Sequence, residues 1–406
     1  MTRPTPLRRN RDFVLLQTGQ LLSTFGSSAS SIAYPLLALA LTGSAAKTGV
    51  VGAIEFAPLV LLGPAAGVAA DHFDRRRLMI AANVVGAAAV TALAFAAFAG
   101  RATFALLLVV AFVDSSAAVA FRAGNSGAFR AVVPRTQLAD AASVAMARMS
   151  VVRLGAPPAG GALFGLSRGL PFLADALSYG FSTVSLLLMR APFQEERLPG
   201  PRPRFREGLV HFWRIPFLRT TIGMIAASNL AAAGMPVAVI VLAHRGGLSS
   251  AAIGALVALQ GVTLLAGSVL SPLLRRVFPM RAILLSEFWT GLVYASFVVY
   301  PSVYVLAAAA AVHAFWFPNT DSALTAYSYA LIPDRLLGRA MAASNTLRAL
   351  STPLGPLAAG VLLSHVSARA GVVVLATPVV FAAAAGTASA ATRDLPSLDV
   401  SPAEAG

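Results

Sequence analysis

Residues 67–77 read GVAADHFDRRR and follow directly on a long apolar run. Gly63 and Gly67 lie four residues apart, the spacing that gives a membrane helix a small face for close contact with another helix. Asp71 is expected to end the span, and the three arginines to hold the next loop at the inner membrane surface, where basic residues concentrate. The stretch therefore predicts a tight connection between two membrane-spanning helices.

The composition of the whole chain agrees with a polytopic membrane protein. Of its 406 residues, 57% are hydrophobic and 12% are charged, whereas soluble domains are about 25% charged. The apolar blocks mostly reach the roughly 20 residues that a helix needs to cross the hydrocarbon layer. Since little chain is left over, a water-soluble globular fold and a soluble catalytic domain are excluded.

The apolar blocks divide into two sets of six. The first six predicted spans are roughly residues 13–41, 48–70, 78–99, 103–132, 138–166 and 171–189. The second six are roughly residues 217–243, 248–274, 280–300, 302–332, 339–365 and 370–392. The sequence thus predicts an all-α membrane protein with twelve transmembrane helices in two pseudo-symmetric six-helix bundles. The predicted bundles are residues 1–190 and 217–392, with a cytoplasmic linker at 191–216 and a cytoplasmic tail at 393–406.

The linker carries a pattern of its own. Three prolines between residues 199 and 203 prevent a continuous helix there. After them, four apolar residues from Phe205 to Trp213 fall on one helical face, with arginines around them. This favours a short amphipathic helix lying on the inner leaflet, and an irregular linker with a few apolar residues is the alternative.

The basic residues indicate the orientation in the membrane. When alternate connections are assigned to opposite sides, 22 of the 31 Lys and Arg residues fall on one side, five on the other and four within the spans. The positive-inside rule places the basic side and both termini in the cytoplasm. The formal charge of +15 is therefore read as a topology signal that faces anionic lipid headgroups, not as a nucleic-acid surface. Arginine in place of lysine suggests a bacterial source, and hence the bacterial cytoplasmic membrane.

An internal repeat relates the two halves. Pro134 and Pro333 are 199 residues apart, and the same offset relates Pro157 to Pro356. Parallel repeats of this kind are typical of transporters whose two bundles rock around a site near the middle of the bilayer.

The quoted loop resembles the signature of the major facilitator superfamily, G-x-x-x-D-x-x-x-[RK]-[RK], which joins the second and third spans of that fold. In that family the loop is implicated in gating between inward-facing and outward-facing states. The resemblance gives this role to Gly67, Asp71, Arg75, Arg76 and Arg77.

Further stretches narrow the resemblance. Residues 156–161, APPAGG, resemble the exporter motif G-P-x-x-G-G, with Ala156 in place of its first glycine; this implies roles for Pro157, Gly160 and Gly161. The alternative is that proline and glycine only bend and pack this helix. The runs LTGS (41–44), VPRTQLADA (133–141) and DALSY (175–179) resemble bacterial drug and siderophore exporters of the macrolide-efflux and enterobactin-exporter type. In that group an acidic residue commonly stands where this chain has Ser27.

Charged residues inside the spans are candidates for proton coupling, because placing them in a bilayer is costly. Asp114 lies near the middle of the fourth span, and Arg122, two turns further in, resembles the fourth-span arginine that the family associates with proton coupling. The 199-residue offset brings His313 and Asp321 of the tenth span to the same levels. We predict two pairs across the cavity, Asp114 with His313 and Arg122 with Asp321; static salt bridges without a coupling role are the alternative.

Three other acids within the predicted spans have different expectations. Glu55 in the second span is the next candidate for a proton or cation site, and Glu287 in the ninth span is a weaker one. Asp175, near the start of the sixth span, is read as structural, since a carboxylate favours a helix N-terminus.

A substrate pocket would combine polar and apolar side chains near the midplane, as suits hydrophobic or amphiphilic molecules. For each aromatic residue, packing or anchoring at the interface is the alternative. The predicted substrate-binding residues are Gln17, Gln20, Tyr34, Asn229, Gln260, Trp316 and Asn319.

Other classes of protein fit the sequence less well. The segment before Lys47 lacks the glycines of a phosphate-binding loop, the five histidines form no H-E-x-x-H pair, and the chain has no cysteine. We therefore predict a transporter rather than an enzyme, one that exports a small molecule in exchange for protons by alternating access. The expected energy source is the proton gradient, with no cofactor or metal, and the expected partners are the substrate, protons and membrane lipids, with one chain sufficient for transport. A siderophore or other metabolite exporter, an uncoupled facilitator and a membrane sensor are the alternatives.

Overall fold

The computed structural model describes residues 6–191, 193, 210 and 212–393, and helices make up nearly all of them. Spans 1 to 6 are the helices Arg11–Thr42, Ala45–His72, Arg75–Phe98, Phe104–Val132, Leu138–Leu166 and Leu170–Leu188. Spans 7, 8, 10 and 12 are the helices Pro216–Arg245, Ser250–Val277, Val303–Leu331 and Ala368–Ala388. Short helical turns at Leu7–Arg9, Arg135–Gln137 and Ala390–Arg393 flank them.

Spans 9 and 11 are interrupted, although the sequence predicted continuous helices there. Span 9 consists of Met280–Trp289, a 3₁₀ segment Thr290–Ala295 and Ser296–Val299. Thr290 donates its hydroxyl to the carbonyl of Glu287 at the junction, a local bond that competes with helix geometry. Span 11 consists of Asp334–Leu350 and Leu354–His365, and the break falls at Pro353, which has no amide hydrogen to continue the helix.

The predicted fold class is confirmed. Eleven of the helical segments within the described residues are long and apolar enough to cross a membrane. Span 5 is the twelfth; it has the required length and carries Asp140, Arg148 and Arg153. The chain is thus a multi-pass helical membrane protein. The amphipathic linker helix and the tail predicted at 393–406 lie largely outside the described residues, but Phe212 is buried in a cluster with Phe217 and Leu218.

The helices pack in two groups. In the first half, span 1 lies against spans 5 and 6, and spans 2, 3 and 4 contact one another. In the second half, span 10 packs against spans 8 and 9, and span 7 packs against spans 11 and 12. The largest contacts between the halves are span 5 with span 8 and span 2 with the second helix of span 11.

Glycines make both contacts between the halves unusually close. A β-carbon on Gly161 of span 5 would collide with the backbone oxygen of Ser250 at the start of span 8. A β-carbon on Gly360 of span 11 would lie 2.5 Å from the backbone oxygen of Ala45, at the start of span 2. Gly161 and Gly360 are related by the 199-residue offset, so the two contacts are pseudo-symmetric.

Both contacts lie at one end of the molecule. We call this end the opposite face, since it carries the turn at Gly43, and we call the end with the Arg75–Arg77 loop the basic face. Toward the basic face, Gly63 and Gly67 have open space where a β-carbon would lie, with nothing within 4 Å. The close helix contact predicted for these two glycines is therefore wrong for this structure, because among the described residues no other helix packs against this face of span 2.

Candidate functional site

A cavity of about 360 Å³ lies between the two halves. Spans 1 and 5 of the first half and spans 7 to 10 of the second half form its mostly apolar wall. The polar residues that line it are Ser28, Ser31, Arg153, Gln260 and His313. A mostly apolar pocket with a few polar groups is the usual form of a site for a small organic molecule.

Asp114 lies in a buried hydrogen-bond network inside the first half. Its two carboxylate oxygens accept hydrogen bonds from the hydroxyls of Tyr179 at 2.7 Å and Tyr34 at 2.9 Å. All three side chains are buried. Asp114 is thus held by spans 1 and 6, the neighbours of span 4 within its own half.

The network continues to Asp175, a second buried carboxylate. Asp175 accepts hydrogen bonds from Ser30 at 2.6 Å, Ser27 at 3.0 Å and Ser178 at 3.2 Å. Ser27 also lies 3.2 Å from the Tyr179 hydroxyl, which joins Asp175 to Asp114 through two hydroxyl groups. Asp175 is fully buried, so the interpretation of Asp175 as a simple helix N-terminal charge is corrected.

Span 1 separates this network from the cavity. Ser27, Ser30 and Tyr34 are spaced so that they share one face of the helix, and all three contact the network. Ser28 and Ser31 lie on the adjacent face and line the cavity. Any change in the network that moves span 1 therefore changes the cavity wall.

Glu55 lies beside the network on span 2. Its side chain is half-buried, and its carboxylate is close enough to Asp114 for the two to interact electrostatically. The first half thus brings three carboxylates into one region of the membrane interior.

A second buried polar cluster lies in the second half. The carboxyl group of Glu287 lies 3.8 Å from a ring nitrogen of His313 and accepts a hydrogen bond from Ser228. The other ring nitrogen of His313 lies 3.0 Å from the hydroxyl of Thr290. Glu287, which the sequence made a weak candidate, is thus the partner of His313, and through His313 this cluster reaches the cavity.

The predicted pairs across the cavity do not form in this structure. Asp114 is bound to tyrosines of its own half and His313 to Glu287 of the other half. Asp321 forms an ion pair of 2.5 Å with Arg348 of span 11, and Arg122 is exposed. The physical reason is that the repeat relates equivalent positions, while Asp114, His313 and Asp321 each find their partners in helices of their own bundle.

Most of the predicted substrate-binding residues serve other contacts. Tyr34 binds Asp114, Asn229 donates to the carbonyl of Arg348, and Asn319 donates to the carbonyl of Gly267. Trp316 packs edge-to-face against Phe315 and Phe278. None of these four side chains lines the cavity in this structure, and their role in substrate binding stays a prediction.

The three glutamines have three different environments. Gln17 is buried in span 1, with no hydrogen-bond partner for its amide among the described residues. Gln20 bonds to Asn125 and Arg148 and so connects spans 1, 4 and 5, away from the cavity wall. Gln260 lines the cavity, and its role in substrate binding stays a prediction.

The sequence analysis did not select two arginines of span 5 as candidate site residues. Arg148 takes part in the Gln20 network, and Arg153 lines the cavity. The signal that could have found them is the low hydropathy of span 5, which contains both. Within the described residues, no group of three or more His, Cys, Asp and Glu side chains forms a metal site.

Comparison with known protein families shows to which one this chain belongs. The sequence profile of the transmembrane secretion effector family matches residues 2–405. The chain belongs to this family. The resemblance to the major facilitator superfamily and its macrolide-efflux branch is confirmed, and the family and its relatives are transporters rather than enzymes.

Two relatives of the family are drug efflux proteins by name. Macrolide efflux protein A of Streptococcus pyogenes is 25% identical over 194 residues, which are 48% of this chain and 48% of that protein. Multidrug efflux pump Tap of Mycobacterium tuberculosis is 26% identical over 223 residues, 52% of this chain and 53% of that protein. The matched part spans about half the length of these relatives.

Solved structures show the same fold. A bacterial homologue of the lysosomal transporter Spinster superposes with a TM-score of 0.72 at 18% identity, covering 95% of this chain and 98% of that one. A bacterial homologue of the iron transporter ferroportin gives 0.70 at 18% identity, covering 94% and 99%. At this identity the likeness concerns the fold alone.

The loop that resembles the gating signature of the superfamily is well anchored. Asp71 and Arg75 form an ion pair of 3.8 Å. Arg76 donates to a backbone carbonyl at the end of span 6, at 2.6 Å. The side chain of Asp74 accepts the backbone amide of Arg77 at 2.8 Å and caps span 3. The loop thus ties spans 2, 3 and 6 together at the basic face.

The stretch that resembles the exporter motif lies where spans 1, 5 and 8 meet. A β-carbon on Gly160 would collide with the backbone oxygen of Ala29 in span 1. Gly161 faces Gly254 of span 8, whose own β-carbon would collide with the carbonyl of Pro157. The motif thus joins span 1, which carries part of the acid network, to span 8 of the second half.

Proposed function

We propose that the chain exports hydrophobic or amphiphilic small molecules from bacterial cells in exchange for protons, by alternating access. The single observation that carries the proposal is the position of span 1. One of its faces holds the Asp114 and Asp175 network, and another lines the cavity between the halves. Proton binding and substrate binding would therefore act on the same helix.

The direction and the substrate class are supported by the relatives. Macrolide efflux protein A and multidrug efflux pump Tap are both efflux proteins by name. The mostly apolar cavity suits a hydrophobic or amphiphilic molecule. In this proposal the substrate enters from the cytoplasm, and the relevant state has its halves joined at the opposite face.

The proposed proton path runs along the network in the first half. A proton on Asp175 would pass through the hydroxyls of Ser27 and Tyr179 to Asp114, since these groups lie within 2.7–3.2 Å of one another. When Asp114 is neutral, it no longer interacts electrostatically with Glu55, and the hydrogen bond that it accepts from Tyr34 of span 1 becomes weaker. Tyr34 would then be free to move with the cavity wall as the halves change position.

The orientation and the other partners are part of the same proposal. Both termini and the basic face lie in the cytoplasm, as the positive-inside rule requires. The protein works in the bacterial cytoplasmic membrane as a single chain, with substrate, protons and lipids as its only partners. It uses the proton gradient as its energy source and needs no cofactor.

Accumulation of fluorescent amphiphiles in cells tests the proposal. Cells with and without the protein are loaded with neutral N-phenylnaphthylamine, cationic ethidium or anionic anilinonaphthalene sulfonate, with and without a protonophore. We expect lower accumulation of at least one dye, lost with the protonophore and in Asp114→Asn. Asp140→Asn is the matched control, because Asp140 is an exposed acid in the first turn of span 5.

Two outcomes of this assay would contradict the proposal. Export that survives both the protonophore and Asp114→Asn would contradict proton coupling and leave an uncoupled facilitator. An equal loss in Asp140→Asn would show that removing any carboxylate weakens the protein, and would contradict the specific role of Asp114.

A further inference from the structure

Among the described residues that line the cavity, Arg153 is the one with a permanent charge. It lies in span 5, about four turns from the start of the helix at Leu138. A charged side chain at this depth is costly to place in a bilayer, and such residues usually mark a substrate or ion pathway.

No carboxylate neutralises this arginine. None of the residues that line the cavity is Asp or Glu, and in the described part of the chain no ion pair joins Arg153 to an acid. Two acids of the second half have other partners: Glu287 lies against His313, and Asp321 is paired with Arg348. Asp114 and Asp175 lie on the far side of span 1.

Hydrogen-bond donors from the other half lie next to Arg153. The backbone of Arg153 packs directly on Gly261 of span 8, where a β-carbon would lie 2.8 Å from the Arg153 carbonyl oxygen. Gln260, the preceding residue, lines the cavity, and its buried amide nitrogen has no hydrogen-bond partner among the described residues. The permanent charge of Arg153 and the unpaired amide donor of Gln260 thus lie close together, and each comes from a different half.

We propose that the cavity recognises amphiphiles that carry an oxyanion, such as a sulfonate, carboxylate or phosphate. The guanidinium of Arg153 binds the oxyanion through its forked donors, and the amide of Gln260 donates to a further oxygen. The apolar part of the molecule packs against Ile32, Met235, Leu264 and Phe317. Cationic amphiphiles are disfavoured, because the wall has a positive charge and no carboxylate. The biological role of this site rests on the proposed export function, whereas the inference itself concerns which molecules bind.

Two dyes with the same rings test the inference. Anilinonaphthalene sulfonate and N-phenylnaphthylamine differ only by the sulfonate. Their binding to the purified full chain in phosphatidylcholine nanodiscs is measured by fluorescence, with empty discs subtracted. We expect the sulfonate to bind at least about tenfold more tightly to the wild type, a difference of about 1.4 kcal/mol.

Variants of Arg153 assign the preference to one side chain. Arg153→Gln should lose the tenfold preference while its affinity for N-phenylnaphthylamine stays within about twofold, which also shows that the variant is folded. Arg153→Lys should keep a part of the preference, because it keeps the charge without the fork. Arg168→Gln is the matched control, since Arg168 is an exposed arginine in the loop after span 5.

The remaining outcomes separate this inference from the proposed function. Equal binding of both dyes, tighter binding of the neutral dye, or a preference that survives Arg153→Gln would overturn the oxyanion site even if cells export dye. A preference that depends on Arg153 without export in cells would support the site and contradict the proposed function. Discs containing phosphatidylglycerol distinguish the source of the oxyanion: competition there, abolished by Arg153→Gln, would assign the site to a lipid headgroup.

Discussion

At the scale of single residues, the position after Gly26 in the first span lies beside an acid from another helix. Ser27 stands at that position and donates to Asp175 of span 6. A β-carbon on Gly26 would lie 2.9 Å from the Asp175 carboxylate. The sequence alone placed Asp175 at a helix N-terminus, because nothing in its local pattern shows that span 6 packs against the serines of span 1.

Removing the Tyr179 hydroxyl should interrupt the link between the two carboxylates. In Tyr179→Phe we expect a loss of proton-driven export of about tenfold, since Asp114 loses a buried hydrogen bond to a charged group, worth about 1.5–3 kcal/mol, together with its connection to Ser27. Tyr34→Phe is the comparison, because it removes one hydrogen bond to Asp114 and leaves the bond between Tyr179 and Ser27 in place, so we expect a smaller loss. The measurement is the initial rate of dye export from cells, and an equal loss in both variants would argue against a relay.

Removing His313 should destabilise the second half. In His313→Ala the carboxyl group of Glu287, 2% exposed, loses the imidazole that lies 3.8 Å from it, and a buried polar group that loses its partner costs about 1–3 kcal/mol, or more if it is charged. We expect a lower midpoint of thermal unfolding in detergent. Glu287→Gln added to His313→Ala should restore part of the loss, and a double variant no more stable than the single one would show that the charge of Glu287 is not the cause.

At the scale of helices, the closed end of the molecule depends on backbone contacts through glycine. In Gly161→Ala the new β-carbon collides with the Ser250 backbone, so spans 5 and 8 should separate and open the cavity at the opposite face. Gly165→Ala is the matched control one turn later, where the β-carbon would lie 4.0 Å from the Ser250 side chain, an ordinary contact.

The absence of cysteine from the chain makes this change measurable. Ser31→Cys places a single thiol on the cavity wall. An impermeant maleimide added at the opposite face should label it severalfold faster in Gly161→Ala than in the parent or in Gly165→Ala. Identical labelling in all three would mean that the Gly161 contact does not close this face.

The helices themselves were largely predictable, and their contacts were not. Apolar run length and charge placed the spans to within a few residues, as in span 5, predicted at 138–166 and found at Leu138–Leu166. The breaks in spans 9 and 11 depend on local bonds and on Pro353, which hydropathy does not register. The residue type of Trp316 made it a reasonable candidate for the pocket. Packing decides which face of a uniformly apolar helix meets the cavity, and composition does not show that face.

At the scale of the whole molecule, the repeat relates the halves without pairing their equivalent side chains. Asp114 and His313 occupy equivalent levels, yet each is satisfied within its own bundle, by tyrosines in one and by Glu287 in the other. The charge of Asp114 and the 199-residue offset made both residues candidates for proton coupling, and both side chains are buried in the structure. The offset could not give their partners, because a repeat predicts equivalence and not contact.

The orientation of the whole molecule can be checked with two single cysteines. His72→Cys lies on the basic face and Arg168→Cys on the opposite face, and both positions are exposed. In intact cells we expect an impermeant maleimide to label Arg168→Cys and to spare His72→Cys. The reverse pattern would place the basic loops outside the cell and contradict the proposed direction of export.

Coupled fluxes in proteoliposomes test the central claim most directly. The purified chain is reconstituted, a pH gradient is imposed without a membrane potential, and proton movement and transport of a dye that the cell assay shows to be exported are followed together. We predict that the gradient drives the dye uphill against a matching proton flux, and that Asp114→Asn abolishes both while Asp140→Asn abolishes neither. Uphill transport without proton movement, or unchanged coupling in Asp114→Asn, would contradict the proposal that this buried carboxylate links protons to export.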